Sequence, residues 1–363
     1  MVAAYAISGC GGTTPASSAG VAKVTPRVNS SGIPIGSFSS TVTMASRYYQ
    51  TATLLSDGRV LMIGGCCNGS NGLSTAEIFD PKSNKFNPTG SMTTPRYKHT
   101  ATLMADGRVL VAGGFSDTGP LAAAEIYDPA TGKFTATGSM ASARYSFTAT
   151  LTQQGKVLVA GGYGNNGPLN SLELYDPSTG RFSTLGPMIA PRYSFTATLL
   201  TNGKIFMVGG SGDTSSETFD PATASISRSG SSSIARMNQT ATLLPDGRIL
   251  VAGGRILGET GLATTEIYDP KSNAFSPGNP MTVHRDGQTA TLLQNGLVLI
   301  AGGGADPSST ELYDPKTGNF RPAASMLISR TVHTATLLLD GRVLIAGGYG
   351  DYGSVAPAEL YTP

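Results

Sequence analysis

Arg96-Tyr97-Lys98-His99-Thr100-Ala101-Thr102-Leu103-Met104-Ala105-Asp106-Gly107-Arg108-Val109-Leu110-Val111-Ala112-Gly113-Gly114, continued at Glu125-Ile126-Tyr127-Asp128-Pro129-Ala130-Thr131-Gly132-Lys133-Phe134, decides the fold. Thr100 to Met104 alternates as a strand does and stops at Asp106-Gly107, a pair that tolerates the positive φ of a tight hairpin. Val109 to Ala112 is apolar throughout, as a strand buried on both faces is, and ends at a glycine pair where neighbouring backbones can crowd together. Glu125 to Tyr127 is a third strand, closed by Asp128-Pro129 because proline has no amide for a central ladder. A fourth starts at Phe134. We letter these strands A to D.

The segment recurs seven times. Its glycine pairs, Gly64-Gly65, Gly113-Gly114, Gly161-Gly162, Gly209-Gly210, Gly253-Gly254, Gly302-Gly303 and Gly347-Gly348, fall 44 to 49 residues apart, a period that means propeller blades. The repeats end at Glu359 to Pro363, a strand C with no D behind it, and begin at Phe38 to Met44, a strand D with nothing before it. Pairing these fragments in one blade removes two open edges and clamps the ring. Residues 36–363 therefore read as a single all-β domain, a seven-bladed β-propeller of four-stranded blades whose last blade is closed by an N-terminal strand. Length alone would suggest two or three domains at about 150 residues each, but the repeats run unbroken.

Formal net charge is +2 and 13% of residues are charged, about half the roughly 25% of ordinary soluble domains. Without a basic stripe the chain is not expected to bind nucleic acid. No apolar run approaches the roughly 18 residues of a membrane span. Ile7-Ser8-Gly9-Cys10 resembles the lipobox before the acylated cysteine of bacterial lipoproteins. Residues 1–10 then read as the remnant of a longer signal segment, since no Lys or Arg precedes the apolar stretch. Residues 11–35, rich in Ser, Thr, Gly and Pro, read as a flexible tether. The resemblance implies lipidation at Cys10, a location at the bacterial cell envelope or outside it, and membrane contact only through the lipid. Cys66 and Cys67 are adjacent, and are read either as a strained vicinal disulfide or as two small residues at a loop base.

The glycine pair, the Glu-x-Tyr-Asp-Pro element and the aromatic residue of strand D together resemble the kelch repeat of the kelch and galactose-oxidase-like propellers, over nearly all of residues 38–363. Phe86, Phe134, Phe182, Phe275 and Phe320 stand where that family often has Trp; the fourth blade departs furthest, with Ile226 there and Ser232 where other blades carry Met.

Two charged series run in step: Arg47, Arg96, Arg144, Arg192, Arg236, Arg285 and Arg330 before the A strands, and Glu77, Glu125, Glu173, Glu217, Glu266, Glu311 and Glu359 in the C strands. One identical pair per blade argues for structure, and the arginine fork suits it. Variation at one face is the better functional signal. The residue after each Arg reads Tyr48, Tyr97, Tyr145, Tyr193, Met237, Asp286 and Thr331; the residue after each glycine pair reads Cys66, Phe115, Tyr163, Ser211, Arg255, Gly304 and Tyr349. In peptide-binding kelch proteins these positions look toward the ligand. The resemblance thus implies a mouth that is aromatic over blades one to four and polar over five to seven, with Tyr48, Tyr97, Tyr145, Tyr193, Phe115, Tyr163, Arg255, Asp286 and Tyr349 as ligand-binding candidates.

The same resemblance raises copper oxidation, which in the galactose oxidase family uses two Tyr, two His and a Cys-Tyr crosslink. This chain has three histidines, His99, His284 and His333, and lacks the adjacent Tyr-His pair. Gln50, Gln239, Gln288, Phe147 and Phe195 replace His99 in other blades, which favours a structural role. The expectation is a monomeric, non-enzymatic binding scaffold for a glycan or for an envelope or extracellular protein, with no cofactor and no metal site. The alternative is a secreted copper oxidase or a mutarotase-like sugar-modifying enzyme.

Overall fold

A computed structural model describes residues 36–67, 72–210 and 212–363. Cys10, the tether at residues 11–35 and Ser211 lie outside the described residues.

Seven four-stranded antiparallel sheets are arranged as blades. In blade one, A is Thr51–Leu54, B is Val60–Ile63, C is Ala76–Asp80 and D is Lys85–Pro88. Thr51 pairs with Ile63, Ile63 with Ala76, and Glu77 with Pro88. The A strands of successive blades lie beside one another as the inner wall. Blade seven is completed as the sequence reading expects: Ser37–Thr43 pairs with Pro357–Thr362, Phe38 opposite Tyr361 with ring centroids 5.1 Å apart.

The core lies between blades. Every B strand is fully buried along its length. Each Val, Leu or Ile there is worth about 1.5–3 kcal/mol over exposure. The apolar side chains of one A strand pack on the blade before it. Ala101 and Leu103 of blade two meet Leu61, Ile63, Ile78 and Met92 of blade one and the loop after it.

The arginine series holds this stack together in two directions. Arg96 is buried; its Nη1 donates to the carbonyls of Gly113 and Ala123, and its Nη2 to Glu125 at 2.9 Å. Glu125 also accepts the Thr93 amide. Side-chain exposure across all seven pairs is near zero except at Glu77, 15% exposed. Meanwhile each arginine carbonyl accepts the amide of the second glycine in the preceding blade, as Arg96 does from Gly65 at 2.9 Å. One residue therefore fixes its own blade through the side chain and the neighbouring blade through the backbone.

Blade four shows how a degenerate repeat is repaired. Ser232 replaces the buried methionine of other blades and hydrogen-bonds to the carbonyls of Thr214 and Ile234. The apolar cluster between blades four and five carries Phe206 where the equivalent clusters have Leu, and Phe206 stacks on Tyr268 at 3.9 Å. The larger ring offsets the missing methionine, a volume-conserving exchange of the kind cores accept.

Candidate functional site

The loops from D to A and from B to C meet on one face around the axis. Their two variable positions pair with each other: Tyr48 bridges Cys66, Tyr97 bridges Phe115, Tyr145 bridges Tyr163, Met237 bridges Arg255 and Thr331 bridges Tyr349. One residue further on, the backbone turns left-handed in every blade, with φ of 55° at Tyr49, 52° at Lys98, 51° at Ser146 and Ser194, 55° at Asn238, 70° at Gly287 and 49° at Val332. A β-branched residue such as Val332 is strained there. The turn brings the amides toward the axis, where they link blade to blade. Lys98 N donates to Tyr49 O, Ser146 N to Lys98 O, Ser194 N to Ser146 O, Asn238 N to Ser194 O and Val332 N to Gly287 O, at 2.9–3.1 Å.

Eight aromatic side chains form an unbroken arc on this face. Starting at blade seven, Tyr349 meets Tyr48 edge-on at 5.4 Å, and Tyr48 meets Tyr49 at 5.3 Å. Tyr49 then meets Tyr97 at 6.5 Å, Tyr97 meets Phe115 at 5.6 Å, and Phe115 meets Tyr145 at 5.1 Å. Tyr163 follows at 5.6 Å and Tyr193 at 5.2 Å. All eight are half-buried. The aromatic side thus starts one blade earlier than the sequence reading places it.

The residues proposed from sequence separate into two groups. Tyr48, Tyr97, Arg255, Asp286 and Tyr349 line a mouth of roughly 450 Å³ at the axis, together with Cys66, Gly287 and Thr331. Phe115, Tyr145, Tyr163 and Tyr193 lie along the arc and do not line that mouth. Five lining residues, Tyr49, Lys98, Asn238, Gly287 and Val332, were not among the candidates read from the sequence. Asn238 and Gly287, residue types that accept positive φ, were the available signal for that position. A second groove of about 670 Å³ runs over blades five to seven past Arg255, His284, Asp286, Tyr349 and Asp351.

Charge in the mouth is sparse. Arg255 Nε lies 3.6 Å from Asp286 Oδ2, while Asp286 Oδ1 is buried without a hydrogen bond. Burial pushes the Asp286 carboxyl above its ordinary value, against the opposing pull of Arg255. Burial likewise lowers the Lys98 ammonium and raises the Tyr48 phenol. Cys66 and Cys67 are thiols in the structure and not the vicinal disulfide that adjacency allows. Cys66 sits in the extended bridge with Tyr48, and successive side chains of an extended backbone point to opposite sides.

Residues 38–210 match a family model described as the KLHDC2/KLHL20/DRC7 Kelch-repeats domain, and residues 237–282 match the Kelch motif. The chain is a kelch-repeat β-propeller. The stretch left between the two matches holds strands C and D of blade four, Ser216–Asp220 and Ser225–Ser229, where the kelch pattern is weakest. No curated protein matches the chain. Among solved structures the propeller is similar to one titled as a novel fungal alcohol oxidase with catalytic diversity among the AA5 family, in complex with copper. The TM-score is 0.75 at 18% identity, over 91% of this chain and 76% of that one. That likeness is one of fold.

The kelch propeller's own residues do not offer the copper ligand set that the galactose oxidase family uses. His99 and His333 are buried in two different joins between blades; each Nε2 lies 3.0 Å from a threonine hydroxyl of the preceding blade, Thr51 and Thr289 respectively. Burial lowers both imidazoles to about 3, so they are neutral. Gln50, Gln239 and Gln288 occupy the same place in other blades, their Nε2 donating to the carbonyls of Ala346, Val208 and Ala252. His284 is exposed, out on the second groove. Among the described residues, no three His, Cys, Asp or Glu side chains gather where a metal ion could be held.

Proposed function

We propose that this kelch propeller is a non-enzymatic binding scaffold that takes a glycan on its aromatic face, displayed at a bacterial envelope through lipidated Cys10. The observation that carries this reading is the continuous arc from Tyr349 to Tyr193. Half-buried tyrosines offer flat apolar faces and phenolic hydroxyls together, the combination that suits a sugar ring with its C–H faces and rim of hydroxyls. The axial mouth supplies a few orienting polar groups beside the arc. An envelope or extracellular protein is the other ligand class that such a face can serve.

The enzyme reading rests on fold likeness to a copper oxidase, and fold alone does not transfer chemistry. It predicts about one equivalent of copper per chain. A glycan array with the soluble protein beginning near Val21, beside a variant carrying Tyr97→Ala, Tyr145→Ala and Tyr193→Ala, tests the proposal. Binding that the variant loses supports it. A blank array turns the search to protein partners, and stoichiometric copper with oxidase turnover would replace the scaffold reading.

A further inference from the structure

The mouth contains a cation that has no counter-ion among the described residues. Lys98 sits at the axis, its Nζ 4.4 Å from the centroid of Tyr49 and 5.8 Å from that of Tyr145. It is half-buried and opens onto the mouth. Among the described residues no carboxylate comes within 4.0 Å of it, and its three N–H donors have no protein acceptor. The charged or ionisable groups that act on it are the Cys66 thiol and the Arg255 guanidinium, neither a counter-ion. Asp286, the carboxylate that lines the mouth, faces Arg255 instead.

This contrasts with how the chain treats its buried cations, since each of the seven core arginines has its own glutamate. An ammonium partly withdrawn from water without a counter-ion is disfavoured, and contact with an aromatic face recovers only part of that cost. Nor does the fold require a charge at this place. The equivalent residues are Tyr49, Ser146, Ser194, Asn238, Gly287 and Val332, all neutral and all in the same left-handed conformation. Lysine at this position therefore serves what enters the mouth. An ammonium with three free donors beside aromatic platforms matches a carboxylate attached to a sugar ring.

We infer that the ligand is a carboxylated glycan, a chain containing uronic acid, whose carboxylate is received by Lys98 while the ring that bears it packs on Tyr49 and Tyr97. The inference rests on the glycan-binding reading above. Calorimetric titration of the soluble protein beginning near Val21 tests it, with oligogalacturonate and with its methyl ester, the same backbone without the charge. The variants are Lys98→Asn, which borrows the residue the fold already carries at the equivalent position in blade five, and Lys98→Arg, which keeps the charge.

Oligogalacturonate should bind more tightly than its ester by roughly tenfold or more, a gap that Lys98→Asn abolishes and Lys98→Arg largely retains. Equal binding of acid and ester by the native chain, or a preference that survives Lys98→Asn, would overturn the role of Lys98 and leave glycan binding standing. Failure to bind either form, with tight binding of an acidic peptide that needs Lys98, would overturn the glycan assignment itself.

Discussion

The amide of Gly348 donates to the carbonyl of Arg47 at 2.9 Å, joining the last blade to the first with the same bond that joins every other neighbouring pair. Gly348 has φ of 99°, and a Cβ added there would lie 2.8 Å from the Thr331 carbonyl, so only glycine allows this approach. Arg47 meanwhile reaches Glu77 at 2.7 Å within its own blade. The ring is closed by repeat chemistry at its seam as well as by the shared blade.

Removing one of the buried arginines should therefore be severe. Arg96→Ala leaves Glu125 buried and uncompensated, and is expected to cost about 3–5 kcal/mol in denaturant unfolding. Arg108→Ala removes a surface pair with Asp106 whose side chains are 43% and 40% exposed, and should cost under about 1 kcal/mol. Similar losses at both positions would refute the structural role assigned to the arginine series.

Closure of blade seven depends on the N-terminal strand. Phe38→Ala deletes a ring that is buried against Tyr361, with an expected loss of about 3 kcal/mol. Protease cleavage near Ser37–Thr43 should become faster in that variant, since the outer strand detaches first. Unchanged stability and cleavage would mean that the ring is held without the strand.

Acid should weaken the propeller through its two buried histidines. His99 and His333 titrate at about 3 when folded and near 6.5 when unfolded, so the unfolded chain binds the additional protons. Their contribution is complete above about pH 6.5 and declines as pH falls toward 3, by roughly 1.4 kcal/mol per pH unit for each histidine. His99→Gln copies the residue used at Gln50 and removes one of these groups. Relative to the native chain it should gain about 2–3 kcal/mol between pH 7 and pH 4.5 in urea unfolding. A constant difference across that range would show that His99 is not a buried neutral base.

Ligand length should distinguish the mouth from the arc. Tyr193 ends the arc, far along the face from Tyr97 and the axis. Tyr193→Ala is expected to weaken a long oligosaccharide by roughly fivefold to tenfold and to leave a disaccharide unaffected, whereas Tyr97→Ala should weaken both. Equal effects of the two variants on short and long ligands would rule out an extended site.

The blade count, the strand order, the seam between the ends and the Arg-Glu pairing were all legible in the repeat. Each follows from a local pattern multiplied seven times: alternation, a turn pair, a glycine pair, a proline stop. Five of the mouth residues were legible too, because they vary where everything around them is constant. Lys98 was not, although it lies next to Tyr97. In sequence it is one more variable loop residue, and its charge reads as solvated.

The amino-acid sequence by itself determined the architecture, since every step of the repeat is a short-range choice between strand and turn that neighbouring residues settle. Only the tertiary structure decided the site. The left-handed turn after each arginine swings Lys98 to the axis, and blade-to-blade packing sets Phe115 against Tyr145 and Tyr163 against Tyr193. Those relationships come from closing the ring, which brings residues of different repeats within contact distance and leaves the Lys98 ammonium facing the mouth with no counter-ion among the described residues.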